Sequence, residues 1–233
     1  MVKAFILCGG KGTRLRPYTY EAPKPMLLLG KKPILQYVVE NMKNSGITEL
    51  IFTVGYMREK IMDYFGNGSK FGVKITYLED NEELNTAGSV LAGKNLISET
   101  FIVAMGDHLT KIDLKKMLEF HRKNKAIGTI ALQKQSTHID FGVVKTEGER
   151  VTGFEEKPVL THLINTGIYV FEPEIFSQIK EKDDFAKDIF PRLLNEKKKL
   201  NGFVFGEYWM DIGKKEVYEE IADLVSKNKF PHL

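Results

Sequence analysis

An α/β fold with a mostly parallel central sheet is what the sequence predicts, and two observations carry the prediction. From Val2 to Met105, short apolar segments alternate with amphipathic ones, and glycine or proline marks the joins. Hydrophobic residues make up 42% and charged residues 28%, yet no apolar run approaches the roughly 18–20 residues needed to cross a bilayer. The chain therefore has the material for a sizeable core formed in water, and a cytoplasmic protein without a membrane partner is expected.

Each element has a local reason. Val2–Cys8 is apolar and bounded by Gly9 and Gly10, so it reads as a buried strand. Pro33 opens a helix in which Ile34, Leu35, Val38, Val39 and Met42 recur at helical spacing, and Gly46 is placed to end it. Leu50–Val54 reads as a second strand and Arg58–Phe65 as a helix stopped at Gly66. Val73–Leu78 follows as a strand, Ala87–Leu96 as a helix and Phe101–Met105 as a fourth strand. Asp113 caps a helix through Lys123. Strand-like segments are expected at Ile127–Leu132, Phe141–Lys145, Val151–Glu155 and Ile164–Phe171. Helical patterns return near Glu174–Lys180, Phe185–Leu194 and Glu216–Ser226. With no linker of low complexity and no solenoid repeat, residues 1–233 read as one unit, with a lobe of short strands inserted after the parallel half.

Charge and cysteine content exclude other classes. The net charge of +3 comes from 34 basic against 31 acidic residues of mixed order, so a one-signed nucleic-acid footprint is missing. The single cysteine cannot form an internal disulfide.

The strongest chemical signal is Leu7–Cys8–Gly9–Gly10–Lys11–Gly12–Thr13–Arg14–Leu15–Arg16–Pro17, directly after the first strand. Glycines there let backbone N–H groups approach an anion, and Lys11, Arg14, Arg16 and Lys24 add cations. Each charge-assisted hydrogen bond to a polyphosphate is worth roughly 1.5–3 kcal/mol. The loop lacks the Gly-Lys-Ser/Thr ending of a P-loop and the third glycine of a dinucleotide fingerprint.

That loop, with Pro23–Lys24–Pro25–Met26, Thr86–Ala87–Gly88–Ser89, Gly106–Asp107, Glu156–Lys157–Pro158, Asn165–Thr166–Gly167 and Trp209–Met210–Asp211–Ile212–Gly213, resembles the sugar-1-phosphate nucleotidyltransferases. The segments keep that family's order and span nearly the whole chain. The resemblance implies a Rossmann-like three-layer fold. Residues 1–110 would form mainly a nucleotide-binding half, 111–213 a half that binds the sugar phosphate, and 214–233 a C-terminal helix, without the β-helix of longer relatives. It implies an NTP and a sugar 1-phosphate as substrates and Mg²⁺ as cofactor.

Residue by residue, the resemblance assigns Arg14, Lys24, Asp107, Lys157 and Asp211 to the chemistry. Alone, Asp107 reads as a turn residue and Asp211 as a helix cap; the resemblance makes both metal ligands. His108, beside Asp107, reads as a loop residue. Nucleotide contacts fall to Leu7, Gly9, Gly10, Gly12 and Thr13 of the first loop, and to Asp80, Asn85, Thr86 and Gly88 further on. The sugar phosphate falls to Gly142, Glu156, Lys157, Asn165 and Gly167. Thr86–Ala87–Gly88 resembles the guanylyl version of the base loop. A carboxylate at Glu79 or Asp80 can accept from guanine N1–H and its amine, which leans towards GTP with mannose 1-phosphate. Uridylyl or thymidylyl transfer to glucose 1-phosphate, another phosphorylated alcohol such as phosphocholine or a heptose phosphate, and a silent nucleotide-sugar sensor remain open, as does a homo-oligomer.

Overall fold

The computed structural model describes residues 2–79 and 84–230. In chain order the first strands are β1 (Lys3–Leu7), β2 (Leu28–Leu29), β3 (Lys32–Pro33), β4 (Glu49–Val54), β5 (Lys74–Glu79), β6 (Phe101–Met105) and β7 (His108–Thr110). They are followed by β8 (Gly128–His138), β9 (Val143–Glu147), β10 (Arg150–Glu155), β11 (Val159–Phe171), β12 (Leu200–Val204) and β13 (Trp209–Asp211). The helices are α1 (Ile34–Asn44), α2 (Arg58–Phe65), α3 (Asn85–Leu91), α4 (Leu114–Asn124), α5 (Phe190–Asn195) and α6 (Lys215–Ser226). Among the described residues no helix is long and apolar enough to cross a membrane.

Seven strands form the central sheet in the order β12-β8-β11-β6-β1-β4-β5. The pairs β1–β4, β1–β6, β4–β5 and β8–β12 are parallel, and β11 alone runs against its neighbours. The predicted mostly parallel sheet is therefore present, and its two faces are covered by different helices. Alternate residues of β1 show the division. Ala4 and Ile6 pack with Leu35, Val39 and Met42 of α1, Ile61 and Phe65 of α2, and Leu114 and Met117 of α4. Phe5 and Leu7 pack on the other face with Ala87 and Val90 of α3 and with Phe185, Ile189 and Leu193.

A third apolar cluster lies off the sheet. Leu15, Leu27, Leu29, Ile34, Leu109 and Ile212 are buried together under Ile221 of α6. Its members come from the first loop, the β2–β3 ribbon with the start of α1, and the β7–β13 ribbon, so α6 packs over three segments distant in sequence.

Several elements differ from the sequence expectation, for identifiable reasons. Strands β8 and β11 run past the sheet and pair from Asn165↔Leu132 out to Val159↔His138, ending in the β9–β10 hairpin. This arm is exposed at 134–138 and 159–163. Burial imposes no alternation there, so periodicity underestimates its length. The segment expected as a helix near Glu174–Lys180 is a 3₁₀ turn at Pro173–Gln178. The segment from Phe185 opens with a wide π turn, Phe185–Ile189, capped by the Asp184 carboxylate, before α5 begins. Strand β12 was not expected, because Asn201 and Gly202 interrupt its apolar pattern. The Asp113 cap is as expected, its carboxylate accepting from Lys116 N–H at 3.0 Å.

Candidate active site

The carboxyl ends of β1, β4 and β6 open into a cavity of about 750 Å³. That is within the roughly 300–1,000 Å³ usual for small-ligand sites, at the sheet edge where α/β folds collect ligands. Leu7, Gly9, Gly10, Gly12 and Thr13 line it, with Asn85, Thr86 and Asp107. A smaller cavity of about 230 Å³ shares the glycine loop and Asp107 and adds Arg14, Lys24 and Gly213. Most of the residues expected at a nucleotide therefore meet around one loop. Thr19 fixes that loop by donating its hydroxyl to Gly12 O at 2.9 Å. Tyr56 in turn donates to Thr19 O at 3.0 Å.

Between the cavities and the β7–β13 ribbon lies a compact charged centre. The ribbon pairs Asp211 with His108, so the two expected metal ligands are brought together across it. Lys24 Nζ lies 2.6 Å from Asp107 Oδ2 and 3.2 Å from Asp211 Oδ1. His108 Nε2 lies 3.6 Å from Asp107 Oδ1 and 3.4 Å from Asp211 Oδ1. His108 is thus part of this centre in β7 rather than the loop residue that the sequence reading expected. Its Nδ1–H donates to Thr166 O at 3.0 Å, and Trp209 Nε1–H donates to the same oxygen at 3.0 Å. The indole also packs edge-on against the imidazole. The ring is therefore fixed with Nε2 turned to the carboxylates.

The charges reinforce one another. Burial works to raise the Asp211 pKa, but the His108 contact and the Lys24 charge outweigh it and hold the carboxyl well below the usual range. Burial works to lower the His108 pKa, and the two aspartates and Thr166 O reverse this and raise it. Gly213 leaves space for the carboxylate, since a Cβ there would stand 2.7 Å from Asp211 Oδ2. Two carboxylates beside a phosphate-sized cavity form an oxygen donor set that fits Mg²⁺, which is held by one or two carboxylates and by substrate phosphates.

The residues expected at the sugar phosphate are arranged in two groups. Asn165 and Gly167 lie where the β8–β11 register shifts, and Asn165 Oδ1 accepts from Gly167 N–H at 2.9 Å. Gly167 has φ +72°, and a Cβ there would stand 3.0 Å from His108 Cε1, so this bend abuts the charged centre. Glu156, Lys157 and Gly142 lie further out on the arm. Glu156 covers Gly142, whose Cβ would stand 2.9 Å from Glu156 Oε2. Lys157 is exposed, with φ +48°.

In the base loop, Thr86 donates to Asp184 Oδ2 at 2.9 Å and accepts from Phe185 N–H. Asn85 Nδ2 donates to Lys182 O at 2.7 Å. Gly88 is buried, and a Cβ there would stand 2.8 Å from Lys182 N. Residues 85–88 are thus shaped by the 182–185 turn. Asp80 lies outside the described residues. Glu79 ends β5 and pairs with Arg58 at 3.1 Å. The sequence reading missed Thr53, Gly55, Tyr56, Arg58 and Asp184 as cavity wall. The first three end or closely follow β4, and the rule that ligands of α/β folds collect at the carboxyl ends of parallel strands reaches them. Asp184 carries no local signal.

Fold and site together define an α/β protein with a glycine loop and a charged centre at the carboxyl ends of its parallel strands, and likeness to known proteins gives its family. The chain matches the nucleotidyl transferase family over residues 3–228 and belongs to it. It is 38% identical over 233 residues to a mannose-1-phosphate guanylyltransferase of Mycobacterium tuberculosis, covering 96% of this chain and 65% of the relative. It is 34% identical over 248 residues to a UTP–glucose-1-phosphate uridylyltransferase of Synechocystis, covering 97% and 64% respectively. The chain thus spans less than two thirds of the length of both. Similarity to the D-glycero-alpha-D-manno-heptose 1-phosphate guanylyltransferase of Aneurinibacillus thermoaerophilus is 35% identity over 223 residues, covering 94% of this chain and 96% of the relative.

Proposed function

We propose that the protein transfers a nucleotidyl group from an NTP to a sugar 1-phosphate, releasing pyrophosphate, with GTP and mannose 1-phosphate as the favoured pair. The observation that carries this reading is the meeting of Lys24, Asp107 and Asp211 beside the cavity walled by the glycine loop. A phosphate monoester has a second pKa of about 6, so the nucleophile is already anionic at neutral pH and needs no general base. Its oxygen attacks the α-phosphorus in line; that P–O bond forms as the bond to pyrophosphate breaks. Catalysis then rests on positioning and charge neutralisation. Arg14 and the loop backbone hold the triphosphate and the departing pyrophosphate. Lys157 meets the nucleophile's phosphate, and Glu156 and Asn165 meet the sugar. When bound at Asp107 and Asp211, Mg²⁺ would supply Lewis-acid charge offset on the phosphate oxygens.

GTP is favoured by the base-loop motif and by the two guanylyltransferases among the relatives named above. A second acceptor, a heptose 1-phosphate, is favoured by the 35% identity to the heptose 1-phosphate guanylyltransferase. Pyrophosphate release with Mg²⁺, each NTP being paired with mannose, glucose and heptose 1-phosphates, tests the reading. Turnover with GTP and mannose 1-phosphate is expected. Preference for the heptose phosphate selects the second acceptor, and silence across the panel in folded protein contradicts the transfer reading.

A further inference from the structure

The side chain of Lys24 occupies a position with a consequence for the order of events at the site. Its ammonium lies within hydrogen-bond distance of one oxygen of each aspartate, and its side chain is only 12% exposed. The backbone is held in a 3₁₀ turn, Lys24–Met26, between Pro23 and the buried Leu27. Movement therefore falls to the four-carbon stem. That stem begins beside the glycine loop, where Lys24 Cβ lies 3.3 Å from the position a Cβ on Gly12 would take. The smaller cavity, with Arg14 on its wall, lies on the same side.

We propose that Lys24 and the divalent ion compete for the Asp107–Asp211 pair, so that the ion displaces the ammonium towards the triphosphate and metal and nucleotide bind together. The proposal rests on the reading that these two aspartates hold the metal. A cation and an ammonium drawn to the same two carboxylates repel one another in a half-buried site, where the effective dielectric is far below that of water. Without nucleotide, the ammonium holds the carboxylates and weakens metal binding. With nucleotide, the phosphates take over the ammonium and leave the carboxylates to the ion. Linkage makes the effect reciprocal, so metal also strengthens nucleotide binding. Lys24 thereby acts first as a placeholder for charge and then as a phosphate ligand.

Mn²⁺ binding to the nucleotide-free protein, followed by electron paramagnetic resonance of the free ion, tests this independently of which base is used. Lys24→Met and Lys24→Gln should each tighten Mn²⁺ binding by roughly tenfold, the scale for removing one nearby like charge. Lys24→Arg keeps the charge and should stay within about twofold of wild type on the same grounds. A merely structural role would not separate the neutral variants from arginine. Thermal melts of all three establish that the fold is kept. If the neutral variants bind Mn²⁺ no better than wild type while Asp107→Asn weakens it, competition is overturned and the metal site stands. If Asp107→Asn and Asp211→Asn both leave Mn²⁺ binding unchanged, the metal assignment itself is overturned, and the proposal with it.

Discussion

Arg14, Lys24, Asp107 and Asp211 each lie within three residues of a buried member of one apolar cluster, Leu15, Leu27, Leu109 and Ile212 respectively. Glu156 and Lys157, by contrast, belong to an arm whose strands are exposed on both faces beyond the sheet. Phe141 and Phe154 on that arm are 78% and 67% exposed. The charged centre is thus held to a fixed geometry from below, as catalysis by positioned charge requires. The arm has little packing to hold it. The comparison teaches that the region proposed to handle the phosphates is the packed one, and the region proposed to receive the acceptor is the loosely packed one.

The largest effect expected is at the charged centre. Asp107→Asn should lower turnover by about two to three orders of magnitude, the scale for losing a group that stabilises developing charge. Its melting temperature should change little; steady-state pyrophosphate release and a thermal melt check both. Undermining the support should cost stability as well as rate. Leu109→Ala or Ile212→Ala should each destabilise by about 2–5 kcal/mol, measured by denaturant unfolding. On the arm, Lys157→Ala should raise the KM for the sugar phosphate by about tenfold or more, in keeping with one charge-assisted bond. Its unfolding free energy should stay within about 0.5 kcal/mol of wild type. Equal stability losses from Ile212→Ala and Lys157→Ala would break the comparison.

A smaller effect belongs to the opposite end of the sheet. His121 is fully buried, with Nε2 3.0 Å from Glu172 Oε1 and Nδ1 2.7 Å from Thr129 Oγ1. Burial depresses its pKa below the ordinary 6.5, outweighing the attraction of Glu172. Below that value the unfolded chain takes up a proton that the folded chain resists. This contribution to stability is therefore fully present above about pH 6.5 and is lost as the pH falls towards the depressed folded value. Unfolding followed from pH 7.5 down to 5 should show the loss, and His121→Asn should flatten that part of the profile. The smallest effect is expected for Phe154→Ser, within about 0.5 kcal/mol of wild type by the same unfolding measurement, since that ring is mostly in solvent.

Much of the parallel half was legible because burial wrote a period into it. β1, α1, β4, α2 and β6 fall where their apolar spacing and terminal glycines place them. The glycine loop was legible from its residues and its position after β1, whereas Asp107, read alone as a turn residue, came forward only through the resemblance. Asp211 was reachable only through the order of motifs, because its place depends on the β7–β13 register between segments distant in sequence. The reach of β8 and β11 was not legible, since exposed strands show no alternation. The shaping of Thr86 and Gly88 by the 182–185 turn was hidden for another reason: apart from the Asp184 carboxylate, which Thr86 meets across 98 residues of chain, the contacts go to backbone atoms, which leave no residue signature.

The central claim is that Asp107 and Asp211 act as one metal-holding pair for nucleotidyl transfer. Pyrophosphate release from GTP and mannose 1-phosphate, titrated with Mg²⁺ in wild type and in Asp211→Asn, tests it most directly. The account predicts Mg²⁺-dependent release in wild type. In the variant it predicts a rate lower by about two orders of magnitude or more and a requirement for more Mg²⁺. Release by Asp211→Asn at the wild-type rate and the same half-saturating Mg²⁺ would contradict it.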